Sequence, residues 1–458
     1  MNSATREDAR RARRVATGAV LRRLPVCLAL LLCCAAARAQ TPPPRAPVAE
    51  PEPDAPSAIP PPDPCALPPG KDKRGINEYF KCLKSKYELV TVKGYHGLHF
   101  VHGSVAPGGG QAGGVGINHA TTSEHWFTQS DASARVSIKK YWELDANLHL
   151  EKFPTSQTPC TTKLGPQNVT KFDLYGLVKD MPRLDYFGTG PESREQDRAV
   201  YHYREGVVGA DFSTASERHC WLDVGGAIEG IFPDIRPITN PTVRSVERVY
   251  NEATAPGLGA QPAYLHLAAY ARIHEARQPE ARKFEYVFLY HVYQDLQEHR
   301  YSFRRFDMDL RNKFPIGANT ELRVRGRLSL SETSEGQRVP FYLMETLGGS
   351  NIRGDDTLRG FRDYRFRDRD YALVQTEFLQ RFYGPLDFIA FYDTGKVASS
   401  VSRFGDGRLR HSYGLGIVVV PRQLDNVLFR FYVALGTGEG SHTYFGGGGT
   451  QRGARLIR

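Results

Sequence analysis

The most highly charged stretch of the chain is TLRGFRDYRFRDRDY, residues 357 to 371, which places eight charged side chains in fifteen positions. Arginines and aspartates balance one another around it: apart from Arg359 there are Arg353, Arg362, Arg365, Arg367 and Arg369 against Asp355, Asp356, Asp363, Asp368 and Asp370. A guanidinium offers five donors in a fixed fork that suits carboxylates. A charge run is usually a solvated face, so an exposed loop is the first interpretation of the composition, and the balanced charges would also suit a loop packed in a polar interior.

Catalytic chemistry has little support in the sequence. Neither G-x-S-x-G nor H-E-x-x-H occurs. The histidines of the predicted strands have no serine or carboxylate at motif spacing; they include His149, His202, His266 and His291. No cysteine and histidine spacing suggests zinc. We expect no enzymatic activity, no metal and no cofactor.

The N-terminus reads as an export signal. A basic region precedes the short apolar run LPVCLALLLCC, residues 24 to 34, and Ala37-Arg38-Ala39 resembles a cleavage site. We predict a signal peptide over 1–39, a proline-rich disordered linker over 40–73 and a short periplasmic segment over 74–90. A lipid anchor at Cys33 or Cys34 is the alternative. No segment has the roughly 20 apolar residues of a transmembrane helix.

The net charge and the number of cysteines further restrict the classes of protein that fit the sequence. Residues 1 to 39 hold eight arginines against Glu7 and Asp8, which leaves +4 of the formal +10 for the rest of the chain. Nucleic-acid binding thereby loses its main support. Beyond the predicted leader four cysteines remain: Cys65, Cys82, Cys160 and Cys220. Two disulfides are possible in an oxidising compartment, and we favour Cys65 with Cys82 because they flank one short segment.

From residue 91 to 458 the pattern is that of β-strands. Apolar and polar residues alternate in about sixteen runs between residues 108 and 449. The clearest is 142–151, where Trp142 and Leu144 share one face with Leu148, and charged residues occupy the other. The first run is 108–120, the eleventh 339–347 and the twelfth 371–383. An even number places both termini on one side of a membrane barrel.

Alternation alone does not separate a membrane barrel from a soluble sandwich, because the two differ only in which face meets water. The long runs, the mixed charges of the polar faces, the aromatics near strand ends and the export signal favour the barrel. We therefore predict an all-β fold, a 16-stranded antiparallel transmembrane β-barrel in the outer membrane. A secreted sandwich or β-solenoid is the alternative.

Motifs along the chain resemble a known family. Gly348-Gly349, Leu358-Arg359-Gly360-Phe361, Glu377 and Phe391-Tyr392-Asp393-Thr394-Gly395 follow one another in the order of the C-terminal barrel of the BamA/TamA outer-membrane assembly factors, the bacterial surface antigen family. Residues 185–191 and 107–110 resemble that barrel as well. The resemblance covers roughly residues 90 to 449, and the block from 347 to 397 is its specific part.

The resemblance implies that the loop between strands 11 and 12 folds into the barrel and that Arg359 pairs with Glu377 and Asp393 on the wall. Two features depart from the family. The stretch between Gln40 and residue 90 has no room for periplasmic repeats, so we expect a barrel-only member. The last aromatic is Phe445 rather than a residue at the extreme C-terminus.

Glycines mark both sides of the expected seam, where the first and last strands would meet. They are Gly108, Gly109, Gly110, Gly113, Gly114 and Gly116 on one side and Gly446, Gly447, Gly448 and Gly449 on the other. Glycine weakens a strand through backbone entropy and has no side chain to pack. A weak seam that opens laterally is one interpretation, and tight bends at a barrel corner are the other.

The resemblance implies insertion or translocation of outer-membrane or secreted proteins through this seam. The alternative is a passive outer-membrane channel or binding barrel without assembly activity. We expect a monomer in outer-membrane lipid. Unfolded outer-membrane proteins or a separate periplasmic protein are the expected partners, and nucleic acid is not.

Overall fold

The computed structural model describes residues 65, 82, 85, 86, 97–153, 160, 170–216, 219–276, 282–383, 386–419 and 429–447. The predicted signal peptide lies outside these residues, as do nearly all of the linker and the short periplasmic segment. The chain divides into two compact units, Met1–Tyr87 and Glu88–Arg458, and the second contains every strand described below. Within the described ranges, no helix is long and apolar enough to cross a membrane.

Sixteen antiparallel strands form one sheet in which each strand pairs with its neighbour in the chain. They are β1 (Leu98–Gly103), β2 (Ala112–Thr122), β3 (Trp126–Ser137), β4 (Trp142–Lys152), β5 (Thr170–Tyr186), β6 (Ala199–Ala215), β7 (Leu222–Arg236), β8 (Tyr264–His274), β9 (Phe284–Asp295), β10 (Phe303–Gly317), β11 (Thr320–Glu332), β14 (Asp370–Tyr383), β15 (Leu386–Ala398), β16 (Arg410–Val419), β17 (Phe429–Gly436) and β18 (Gly440–Gly447). The predicted 16-stranded antiparallel barrel is confirmed.

The connection between β11 and β14, residues 333–369, carries its own two-stranded sheet of β12 (Glu345–Leu347) and β13 (Phe366–Asp368). The short helix α1 (Val246–Val249) and three 3₁₀ turns lie in the connections between strands. The turns are Glu195–Asp197, Phe341–Leu343 and Val401–Gly405. None of these elements belongs to the barrel wall.

The strand count is as predicted, but two members differ. The first strand is β1, so the glycine-rich run 108–120 is a turn followed by the second strand. The run 339–347 is a 3₁₀ turn and β12, both inside the loop. Pro340 has no N–H for a ladder, and Phe341 is fully buried among Tyr186 and Tyr201 rather than facing outward. The six residues of β1 are too few for a clear alternation.

The two faces of the wall are inverted relative to a soluble protein. On β8 Leu267 is 42% exposed while the preceding His266 is 1% exposed, and on β9 Tyr290 is 46% exposed while His291 is 2% exposed. Apolar side chains therefore lie on the outer face of the wall, and ionisable side chains lie on its inner face. This distribution is typical of a membrane barrel with a polar interior, and the sandwich alternative is wrong.

An aromatic core lies at one end of the barrel. We call this the loop end, because the connections β5–β6, β7–β8 and β11–β14 lie there. The opposite end, where β1 begins and β18 finishes, is called the terminus end. The core joins buried residues of the strands with those of the connections: Tyr141, Tyr186, Tyr201, Tyr203, Phe341, Tyr342 and Tyr364 among them. Edge-to-face and tilted ring pairs at about 5 Å, such as Tyr201 with Phe341 (5.1 Å), stabilise it.

Candidate functional site

The loop between β11 and β14, the eleventh and twelfth strands of the barrel, folds into the interior. Its residues bind inner side chains of strands far apart in the sheet: Glu345 accepts from Arg305 of β10 at 2.9 Å, and Asp356 accepts from Arg430 of β17 at 2.6 Å. Arg367 meets the Tyr201 hydroxyl of β6 at 3.2 Å. One segment reaches all three strands only by crossing the inside of the barrel.

Two glycines shape the start of the loop. Gly348 has φ +120° and Gly349 has φ +27°, both in the region that residues with a Cβ avoid. A Cβ on Gly348 would also lie 2.4 Å from the backbone oxygen of Arg362. The Thr357 hydroxyl accepts from the Gly348 N–H at 2.9 Å and donates back to its carbonyl at 2.9 Å. These contacts bring the strand β12 alongside the LRGF segment.

Arg359 is the centre of the loop's attachment to the wall. Its Nε donates to Asp393 Oδ2 at 2.9 Å and its Nη2 to Asp393 Oδ1 at 2.5 Å, a two-pronged ion pair, while Nη1 donates to Glu377 Oε1. The backbone N–H of Arg359 donates to the same Asp393 Oδ2 at 3.2 Å. Asp393 is fully buried on β15 and Glu377 lies on β14. The structure thus brings the three charged residues of the resemblance together, and we call them the anchor.

Neighbouring groups complete the anchor. The guanidinium carbon of Arg359 lies 3.7 Å from the centre of the Phe391 ring, and Ser412 Oγ donates to Asp393 Oδ2 at 3.1 Å. Burial alone would lower the pKa of Arg359, but the hydrogen bonds and negative charge of Asp393, with Glu377, outweigh it and raise that pKa. The guanidinium is therefore a fixed cation, and its role is structural rather than acid–base.

Gly360 is needed for a reason other than the backbone turn that the sequence suggested. Its φ is not among the positive values. Instead a Cβ would lie 2.5 Å from the backbone carbon of Leu435, and a Cβ on Gly436 would lie 2.3 Å from the Gly360 oxygen. The loop and β17 therefore touch backbone to backbone. The other two motif residues, Leu358 and Phe361, pack in a buried cluster with Leu347 and Phe366.

The remaining charges of the loop pair mainly with residues outside it, although the sequence suggested mutual balance. Arg362 donates to Glu195 in the β5–β6 connection, and Arg365 Nε donates to Glu439 in the β17–β18 turn at 2.6 Å. Arg327 of β11 donates to Asp355 at 3.2 Å. Within the loop, Arg353 donates to Glu345 of β12. The first three contacts each join the loop to a different part of the barrel, and the fourth is internal to the loop.

A second buried polar chain, missed by the sequence analysis, crosses the inner wall from β5 to β10. The Tyr175 hydroxyl donates to one carboxylate oxygen of Glu229 at 2.5 Å, and the other oxygen of Glu229 lies 2.6 Å from His266 Nδ1. His266 Nε2 lies 3.0 Å from His291 Nδ1. His291 Nε2 in turn lies 3.2 Å from Asp307. Its members come from different strands, so no spacing within one strand reveals them. The register does, because His266 lies directly opposite Glu229.

The other two histidines singled out earlier also face carboxylates. His149 Nδ1 lies 2.8 Å from Asp173, and His202 Nε2 lies 2.8 Å from Asp180. Within the residues that the structure describes, no group of three or more His, Cys, Asp or Glu side chains is arranged to hold a metal ion. The polar interior is thus organised as ion pairs and hydrogen-bonded chains.

The glycines on the first side of the seam do not lie where the sequence analysis placed them, whereas Gly446 and Gly447 lie in the last strand as expected. Gly108, Gly109 and Gly110 form the turn between β1 and β2, and two of them have positive φ (+79° and +75°). Gly113, Gly114 and Gly116 lie in β2, the second strand, because β1 precedes them. A Cβ on Gly114 would lie 1.9 Å from the backbone oxygen of Ala134. Gly446 and Gly447 end β18, while Gly448 and Gly449 lie outside the described residues.

The edges of the sheet are β1 and β18. Among the described residues of these two strands, no backbone ladder joins one to the other. Every other neighbouring pair in the sheet is joined by a ladder, with local register shifts in β5–β6, β10–β11 and β14–β15. The seam is therefore the discontinuity of an otherwise regularly hydrogen-bonded wall.

Two disulfides join the four cysteines. The sulfur atoms of Cys65 and Cys82 lie 2.03 Å apart in the first unit. Those of Cys160 and Cys220 lie 2.06 Å apart and connect the β4–β5 and β6–β7 connections, 60 residues apart in sequence. The second bond thus brackets the β5–β6 hairpin.

The fold and the inward loop define a class, the sixteen-stranded outer-membrane-type β-barrel with an interior loop. No family model matches the chain, and no curated protein matches its sequence. Among solved structures it is similar to BamA from Haemophilus ducreyi lacking POTRA domains 1–3, at 12% identity and a TM-score of 0.50, over 76% of this chain and 68% of that one.

It is also similar to CdiB from Escherichia coli, at 10% identity and a TM-score of 0.48 over 76% of this chain and 61% of that one. CdiB from Acinetobacter baumannii follows at 12% identity and a TM-score of 0.44, over 76% and 58% of the two chains. This chain therefore spans less than two thirds of either CdiB. At these identities the likeness concerns the fold alone, and only the BamA comparison is close enough to support it.

Proposed function

We propose that the protein is an outer-membrane barrel that inserts or translocates outer-membrane or secreted proteins through the seam between β1 and β18. The observation that carries this proposal is the seam itself. In a sheet with fifteen antiparallel strand pairings, the described residues of the two edge strands have no ladder between them. An edge strand has unpaired N–H and C=O groups and can template an incoming strand.

The outer-membrane location is supported by the inverted faces. Large apolar side chains are exposed around the outside of the sheet, for example Val115, Phe212, Leu267, Phe388 and Val433. In water such a surface would aggregate. In a bilayer the apolar side chains contact lipid chains instead of water. The backbone groups of neighbouring strands are already paired with one another along the wall, as lipid requires. The export signal expected at the N-terminus fits the same location.

The edge strand β1 has the right chemistry to start a new wall. Leu98 and Phe100 are 55% and 47% exposed and face outward, while His99 between them is buried and faces inward. A client strand that continues this alternation extends the barrel's apolar band and its polar interior together. The free energy would come from folding of the client itself.

Chemical locking of the seam tests the proposal. We introduce cysteines at Phe100 in β1 and Thr443 in β18 and join them with a bis-maleimide in cells, then quantify the outer-membrane proteome. We expect the locked protein to fail and other barrels to become depleted, to the same extent that we expect when the protein is removed. The matched control locks Phe306 of β10 to Leu330 of β11, which lie opposite each other in register, and should leave assembly intact.

Two results would contradict the proposal in different ways. Assembly that continues with a locked seam would show that the seam does not open laterally. A normal outer-membrane proteome after depletion of the protein would reject assembly altogether. A conductance in planar bilayers that rises when residues 350–370 are deleted, together with normal assembly, would favour the passive channel.

A further inference from the structure

Part of the inward loop lies across the seam and contacts both of its sides. We call residues 360–365 the clasp segment. It follows Arg359 directly, so its base is fixed to the wall by the anchor. Its side chains and backbone then reach the last hairpin, β17–β18, and the first, β1–β2.

On the side of the last hairpin, the contacts are close and partly ionic. Gly360 packs against the backbone of Leu435 and Gly436 at distances that exclude a Cβ. Arg365, 2% exposed, donates through Nε to Glu439 at 2.6 Å, and Glu439 lies in the turn between β17 and β18. Charge-assisted hydrogen bonds in a buried setting are the strong ones. The clasp segment thus contacts this hairpin at the end of β17 and in the turn that follows it.

On the side of the first hairpin, the contact is a buried tyrosine. The Tyr364 hydroxyl donates to the carbonyl of Pro107 at 2.9 Å, and Pro107 lies in the β1–β2 turn. The Tyr364 ring is 3% exposed and packs in the core that contains Val105, Ala106 and Ala112. Its backbone has φ +59°, an uncommon value for a residue with a side chain, so the surrounding packing fixes its direction.

From this geometry we propose that the clasp segment holds β1–β2 and β17–β18 together at the loop end and thereby controls opening of the seam. Both turns that it binds lie at the loop end. Separation of β1 from β18 then starts at the terminus end, where β18 finishes at Gly447, and full opening requires release of Tyr364 and Arg365. The biological meaning of this control rests on the proposed function, but the mechanical link does not.

Hydrogen exchange on the purified full-length protein in lipid nanodiscs tests the link without any client. Glu439→Gln removes the charge that Arg365 binds, and Tyr364→Phe removes only the hydroxyl that binds Pro107. We expect amides of β17–β18 to exchange at least about fivefold faster in the first variant and those of β1–β2 in the second. In both variants β9–β11 should stay as in the unmodified protein.

The matched control is Arg369→Ala, in the same loop but bound to Ser399 and Thr333 away from the seam. It should leave both edge hairpins protected. Unchanged exchange of both hairpins in the Glu439 and Tyr364 variants would overturn the proposal, as would a uniform increase around the whole barrel. Because no assembly is measured, either result is independent of whether the protein handles clients.

Discussion

The wall of β14–β15 and the seam of β1 and β18 differ in how their strands are held within one sheet. At the wall, Arg359 joins two carboxylates, stacks on Phe391 and is 4% exposed. At the seam, the described residues of the edge strands share no ladder, and glycines take three of the eleven positions of β2. The comparison teaches that the interior loop is fixed where the wall is strong and spans the barrel where the wall is weak.

Replacement of Arg359, the cation of the anchor, should have the largest effect on the difference between the wall and the seam. Arg359→Ala leaves Asp393 buried without its partner, and we expect a loss of about 3–5 kcal/mol in the free energy of unfolding. Urea titration followed by fluorescence of the three tryptophans measures it. Arg369→Ala, whose guanidinium donates to Ser399 and Thr333, should lose about 1 kcal/mol or less. Equal losses in the two variants would contradict an anchor role.

Acid should strengthen the seam-facing part of the loop, an intermediate effect. Burial raises the pKa of Asp363 to about 6, against its hydrogen bond from the Ser350 N–H. The folded protein therefore binds more protons than the unfolded one between pH ~4 and ~6, so stability rises as pH falls through this window. From pH 7.5 to 5 we expect a gain of about 1 kcal/mol from this group.

Asp363→Asn isolates that contribution. Other carboxyls such as Asp368, whose pKa burial also raises to about 6, titrate in the same range, so the measured quantity is the difference in pH dependence between the two proteins. The variant should lack the part of the gain that belongs to Asp363. Identical pH profiles would show that this carboxyl does not carry a proton in the folded state.

The smallest effect sharpens the comparison from the seam side. A Cβ on Gly113 would meet only the exposed ring of Phe100, at 3.3 Å, so Gly113→Ala should stabilise the β1–β2 pairing by about 0.5 kcal/mol. Gly114→Ala is the opposite case, because its Cβ would collide with the Ala134 backbone. Slower amide exchange in the first variant and faster exchange in the second are expected. The reverse order would show that the glycines do not act through packing.

The barrel could be predicted from the sequence because most of its strands are long and alternate apolar with polar residues, so the pattern of each strand indicates which face is apolar. The LRGF loop was predictable because its motif residues occur in the same order as in the family that the sequence resembles. β1 was missed because six residues give a weak period, and 339–347 was misassigned because its apolar residues face a core inside the barrel. The chain from Glu229 to Asp307 was invisible because register, and not spacing, brings its members together.

The bond between Cys160 and Cys220 has a consequence for biogenesis. It closes a covalent ring around β5 and β6, the two longest strands at 17 residues each. Restricting a ring of this size lowers the entropy of the unfolded chain by the equivalent of about 4 kcal/mol in the loop-closure description. If the disulfide forms before insertion, the ends of the β5–β6 hairpin are covalently linked when the chain reaches the bilayer. The thiol-oxidising enzymes of the compartment would then influence which strands pair first.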